Sequence, residues 1–184
     1  MSGDILDLVL RLVLTMPGQV ALLAGATLAF LPAPDVDLWM LRLLHHRSIL
    51  THSVLLPCLV LWFLPELGPA AAAGAALGVA VHMAADMLSP ARGFGRIWLP
   101  EPFQVSLGGW SHLWLLVNAL GAAWMAVAVL PSGEAWRWIA GGVGILAALG
   151  YGLMRERSIL SALVALAVVG APFAADHGLR AWLP

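Results

Sequence analysis

From residue 110 to residue 130 the chain reads WSHLWLLVNALGAAWMAVAVL, 21 residues without one formal charge. That length matches the roughly 20 apolar residues an α-helix needs to cross the hydrocarbon core of a bilayer. Comparable stretches lie at 17–33, 49–66, 69–89, 135–153 and 158–175, so about six spans are expected. Inside lipid every backbone polar group must be satisfied within the structure, and helices do this segment by segment. The fold class expected is therefore all-α, a polytopic bundle of transmembrane helices. Composition agrees. Charged residues are 10% of the 184 and hydrophobic residues 61%, against about 25% charged in a soluble domain, and mean hydropathy is +0.92. No segment is long or polar enough for a second, soluble domain, so residues 1–184 read as one integral membrane domain.

The flanks of the spans carry further signals. Residues 4–15, DILDLVLRLVLT, stand apart from the first span behind Pro17-Gly18, and Asp4, Asp7 and Arg11 favour an interfacial segment. The N-terminus is acidic, lacks a positive n-region and shows no small-x-small cleavage site, so no signal peptide is expected. Pro17 and Pro69 suit first-turn positions. Pro57 falls inside the second span and predicts a kink.

Arginines set the orientation. Arg42, Arg47, Arg92, Arg96, Arg155 and Arg157 follow the first, third and fifth spans; only Arg11, Arg137 and Arg180 lie on the other side. The bias puts the first group in the cytoplasm and the N-terminus outside. Trp98, Trp110, Trp114, Trp136, Trp138 and Trp182 lie near span ends, as in an aromatic belt. All nine basic residues are arginine, which fits a GC-rich bacterial genome, and the net charge of −1 indicates no nucleic acid partner. Cys58 is the single cysteine, so neither an internal disulfide nor a cysteine zinc pair can form. Localisation in a bacterial inner membrane, among membrane lipids, follows.

Polar residues in a membrane segment are expensive, and so are functional candidates. Here they gather. LPAPDVD (31–37) brings Asp35 and Asp37, and HHRSILTHS (45–53) brings His46, Arg47, Thr51, His52 and Ser53. VHMAADMLSP (81–90) brings His82 and Asp86, while WSHLWLLVN (110–118) brings Ser111 and Asn118. Assigned from arginine alone, the topology places all four stretches at the same end. His82 and Asp86 are four apart and share a helix face. Gly74 and Gly78 continue that series and allow close helix approach, so the face points into the bundle. Spans five and six carry almost no interior polar group and read as scaffold.

Asp35, Asp37, His46, His52, His82 and Asp86 form an oxygen and nitrogen donor set suited to zinc, manganese or iron. Six candidates exceed the four positions of one tetrahedral zinc. They suit two ions about 3.5–4 Å apart, as in enzymes that cleave phosphoesters. Asp35, Asp37 and Asp86 double as candidate acid or base groups, and Arg47 as a clamp on an anionic group. Thr51, Ser53, Ser111 and Asn118 are candidates to orient the ligands. Each has a plainer alternative. Asp37 can cap the helix DLWMLRLLHH, His-x-x-x-Asp can be a buried hydrogen-bonded pair, and Arg47 can serve the positive-inside rule alone. His45 and His112 read as interfacial, and Asp176 and His177 as surface groups.

These residues resemble the YdjM-like, LexA-regulated family of inner-membrane metal-dependent hydrolases. Its pattern is Leu-Pro-Asp-x-Asp, then His-Arg-x-x-x-Thr-His-Ser, then a helical His-x-x-x-Asp. The chain reads LPAPDVD, with Ala33-Pro34 before Asp35, then HRSILTHS and HMAAD. The resemblance covers residues 17–120; the remainder, 121–184, matches only as hydrophobic helices. It implies metal-dependent hydrolysis of a phosphoester, by likeness of metal-site logic to zinc-dependent phospholipase C, with the six His and Asp residues as ligands or acid–base groups. A site in the membrane suggests an amphiphilic substrate. Two alternatives stand beside it: a metal or proton transporter, and a non-catalytic membrane protein whose His/Asp cluster fixes helix packing.

Overall fold

A computed structural model describes residues 13–88 and 95–182, with side chains through residue 175. Residues 4–12 of the expected interfacial segment, Arg92, and the side chains of Asp176, His177, Arg180 and Trp182 lie outside that description. Among the described residues the chain is helical, with no strand. Helix α1 is Met16–Phe30, and a 3₁₀ segment, Ala33–Trp39, follows it. Helix α2 is Leu55–Phe63 and α3 is Gly68–Asp86. Helix α4 is Ser111–Val129 and α5 is Glu134–Gly150. A π-helical turn, Tyr151–Arg155, extends α5, and α6 is Ile159–Trp182.

Local chemistry explains several boundaries. Thr15 caps α1 by accepting from Gly18 N at 3.2 Å, and Pro17 sits in the first turn, where no N–H is required. Pro69 sits likewise in α3. The second expected span, 49–66, is different. Residues 48–54 are turns, and only the nine residues of Leu55–Phe63 are α-helical, about 14 Å at 1.5 Å per residue. Pro57 falls in the first turn of this short helix, so it produces no kink. The polar residues there bind other parts of the chain, and that competes with a continuous helix.

Helix α3 is the axis of the bundle. Every residue from Ala70 to Asp86 is buried, and α1, α2, α4, α5 and α6 all contact it. Its lack of bulk makes this possible. A Cβ on Gly74 would lie 2.2 Å from the Leu23 carbonyl oxygen, and one on Gly78 2.5 Å from that of Thr27. Backbone of α1 therefore lies directly on the glycine face of α3. His82 and Asp86 continue this face beyond the C-terminal end of α1. The chain turns there and delivers Asp35 and Asp37 beside them.

Among the described residues, and counting the turns that continue them, four helical segments are long and apolar enough to cross a membrane: Met16–Trp39, Pro65–Asp86, Gly108–Val129 and Glu134–Arg155. The part of α6 whose side chains are described, Ile159–Ala175, is apolar as well.

Candidate metal centre

Three segments build the site. The 3₁₀ segment buries Asp35 and Asp37. The turns at 45–54 bring His46, Arg47, Thr51 and His52, and the last two turns of α3 bring His82 and Asp86. The turns are held by backbone pairing that the sequence did not announce. Trp98 N donates to Arg47 O at 3.0 Å and Ile49 N to Trp98 O at 2.9 Å. Between them Arg47 adopts φ 62, in the left-handed region uncommon for a residue with a side chain.

Asp37 is the hub of the turns. Its Oδ2 accepts from Ser48 N at 2.9 Å and from the Thr51 hydroxyl at 2.7 Å, and its Oδ1 lies 3.3 Å from His46 Nδ1. Its place within the 3₁₀ segment, with no side-chain cap, replaces the helix-capping alternative. The Thr51 hydroxyl has two further neighbours, Ser48 O at 3.2 Å and His52 Nδ1 at 3.1 Å. Asp37 Oδ2 and Ser48 O can only accept. The single hydroxyl proton goes to one of them, so Thr51 accepts from His52 Nδ1–H. A neutral His52 then carries a bare Nε2.

His82 reaches the same state by another route. Its Nδ1 lies 2.7 Å from the carbonyl oxygen of Leu31, which can only accept, and 2.8 Å from the Tyr151 hydroxyl. Nδ1 therefore holds a proton, and in a neutral ring Nε2 is bare. The two Nε2 atoms face each other at 3.4 Å. Asp86 Oδ2 lies 3.6 Å from each, and Asp35 Oδ1 lies 3.6 Å from His82 Nε2. Donors bound about 2.0–2.2 Å from a tetrahedral zinc stand roughly 3.3–3.6 Å apart. The triangle of His52, His82 and Asp86 atoms has sides in that range. Asp86 Oδ1 is buried and has no hydrogen-bond partner among the described residues, a further acceptor suited to a cation.

Two donor groups can each hold an ion: Asp35 with His52 and His82, and Asp35 with Asp37 and His46. Five of the six expected His and Asp residues fall in these groups, with Asp35 in both, and Asp86 adjoins the first through His52 and His82. Arg47 is 2% exposed, with Nε donating to Asp86 Oδ2 at 2.8 Å. That buried ion pair, and not an open anion clamp, is where the structure puts it.

Ser53, Ser111 and Asn118 act on the backbone around the site. The Ser53 hydroxyl donates to Leu50 O and accepts from Leu55 N at the start of α2. Ser111 Oγ accepts from Ile97 N at 3.0 Å. Asn118 Oδ1 accepts from Val54 N at 3.0 Å, and its Nδ2 donates to Trp114 O at 2.9 Å.

Two belt tryptophans belong here as well. Trp114 Nε1 donates to His52 O at 2.8 Å, and Trp98 packs on His45 with ring centroids 5.1 Å apart. His45 and His112 are half-buried and join neither donor group.

The scaffold reading of residues 121–184 needs correction. The π turn aims Tyr151 at His82 and places Arg155 NH2 4.0 Å from Asp35 Oδ2. π turns recur at functional sites because they re-aim side chains within a helix. One signal was available: Tyr151 is the only tyrosine, and it stands just before RERS, a polar break between two apolar runs.

Comparison with protein-family models, with curated proteins and with solved structures returns no match. What the chain's own geometry defines is a class: a helical protein with membrane-span-like helices and a buried His/Asp cluster that can hold a metal ion.

Proposed function

We propose that the chain is a membrane-bound, metal-dependent hydrolase acting on a phosphoester of an amphiphilic substrate, at the cytoplasmic face of a bacterial inner membrane. The observation that carries this reading is the pair of Nε2 atoms at 3.4 Å, flanked by carboxylates. In neutral rings, lone pairs so placed repel unless a cation, a metal ion or a proton, lies between them. The mixed nitrogen and oxygen donors make zinc the first ion to test, with manganese and iron next. Asp35, shared by two donor groups, supports a two-ion centre. Resemblance to the YdjM-like hydrolases in HRSILTHS and HMAAD points the same way.

In such a centre the metal supplies a water activated near neutral pH and polarises the phosphoryl oxygen. The protein's own residues do the rest. Thr51 and Asp37 hold His52 in one tautomer, and Leu31 O with Tyr151 does the same for His82. Arg47 fixes the Asp86 carboxylate. His46, 33% exposed and backed by Asp37, is placed to pass protons to water when it does not hold an ion.

A transporter needs ionisable groups along a path through the bilayer. Here the donors gather at one end of the bundle, beyond the Gly74–Gly78 face.

The test is metal analysis of protein purified in detergent, with hydrolysis of phospholipid vesicles as the second readout. Stoichiometric metal that is lost in His52→Ala and His82→Ala, together with turnover that tracks it, is the expected result. Metal content unchanged by both substitutions sinks the centre, and bound metal without turnover leaves a non-catalytic site.

A further inference from the structure

We infer that Arg155, carried by the π turn, is the residue that receives the phosphate group of the substrate. The inference rests on the metal-hydrolase reading and deepens it. Arg47, the arginine expected to clamp an anion, is buried against Asp86. Arg155 has the opposite character. It is 57% exposed, and its NH2 lies 4.0 Å from Asp35 Oδ2, the carboxylate common to both donor groups. At that separation the guanidinium is held beside the site by charge, while much of the side chain stays exposed.

Charge balance argues for an anion. Asp35, Asp37 and Asp86 bring three negative charges, and Arg47 and Arg155 bring two positive ones. One negative charge remains, and a single divalent ion reverses its sign. With Arg155 counted in, a metal-loaded site therefore carries net positive charge, and Arg155 is its exposed cation. Phosphate oxygens match the fork of Arg155, and a metal held by Asp35, His52 and His82 would add positive charge beside it.

The surroundings suit a phosphate attached to a hydrocarbon. Trp39 follows Asp37 at 90% exposure and Met154 precedes Arg155 at 82%. These apolar side chains extend from both elements that carry the site. The π turn itself is firmly placed: a Cβ on Gly152 would lie 2.4 Å from Ala162 Cα, so α6 presses directly on it.

The experiment uses the full chain in lipid nanodiscs, loaded with zinc or manganese. Two probes are titrated: inorganic phosphate, and phosphatidic acid incorporated in the discs. Arg155→Ala is expected to retain its metal and to bind at least one probe about 10-fold or more weakly, with Arg155→Lys partly restoring it. Loss in both arms identifies the phosphate group itself as the recognised chemistry; loss with phosphatidic acid alone identifies the lipid form. With a turned-over ester, the substitution raises KM more than it lowers kcat, which a purely structural arginine would not do. Equal binding by Arg155→Ala in both arms overturns the assignment, as does a metal-loaded wild type that binds neither probe; in both cases the metal centre stands. A wild type that takes up no metal fails at the earlier step and sinks the centre with it.

Discussion

His52 and His82 present their Nε2 atoms to each other at 3.4 Å, while hydrogen bonds on the far side of each ring commit the proton to Nδ1. When both imidazoles are neutral, rings so arranged have no hydrogen bond to share. Each ring comes from a different element, one from the turns before α2 and one from α3, so neither can relax without moving its support. A cation between them resolves the conflict, and Asp35 and Asp86 stand beside it to balance the charge.

Thr51 is the cleanest test of that argument. Thr51→Val keeps the shape and removes the oxygen that accepts from His52 and donates to Asp37. Metal affinity, measured by competition with a chromophoric chelator, is expected to fall about 10–100-fold with helix content unchanged. Unchanged affinity would show that the tautomer of His52 is set elsewhere.

Arg47→Met separates the metal from the fold. Without metal, the substitution leaves the buried Asp86 carboxylate without its charged partner, a loss of about 3–5 kcal/mol for a pair of this kind. With metal bound, a second cation lies beside Asp86 and the loss is smaller. Thermal unfolding in detergent, with and without metal, reads the difference. An identical loss in both states argues against an ion at Asp86.

Chelation and acid act in the same direction. A metal at 100 times its Kd stabilises the folded state by about 2.7 kcal/mol, so EDTA is expected to lower Tm and added metal to restore it. Binding requires unprotonated Nε2 on His52 and His82. As pH falls, protons compete for these atoms and metal affinity drops. A Tm indifferent to chelator at neutral pH contradicts the centre.

Gly74→Ala tests the packing that aligns the site. The new methyl would meet Leu23 O at 2.2 Å, a backbone atom that can yield only if α1 shifts. Overpacking of this kind destabilises by about 1–3 kcal/mol. Gly25→Ala is the control, since nothing lies within 4 Å of its added Cβ, and it gains up to about 1 kcal/mol of helix propensity. Equal melting temperatures for the two variants would mean α1 does not bear on α3 as described.

Much of this architecture was legible in the residues. Long uncharged runs dictate helices, because only internal hydrogen bonds satisfy a backbone surrounded by apolar surface. The four-residue series Gly74, Gly78, His82 and Asp86 is likewise a sequence property, and by itself it points the ligand face into the bundle; that the partner is α1 came from the structure. Scarcity did the rest: in a chain with six histidines and ten acidic residues, the clusters stand out against the apolar background.

Tertiary structure decided what depends on contacts distant in sequence. The run 49–66 is apolar enough to suggest a span, yet its first residues are drawn into turns by Asp37, Trp98 and Asn118, and only nine residues remain helical. Arg47 looks like an open clamp until Asp86, 39 residues away, takes it into the interior. Tyr151 and Arg155 reach the site only because a π turn shifts the helical phase at the end of α5, and period-based reading assumes that phase is constant. Residue type and spacing determine which groups can bind an ion. Which of them meet, and which proton each one keeps, is set by partners that the linear order does not reveal.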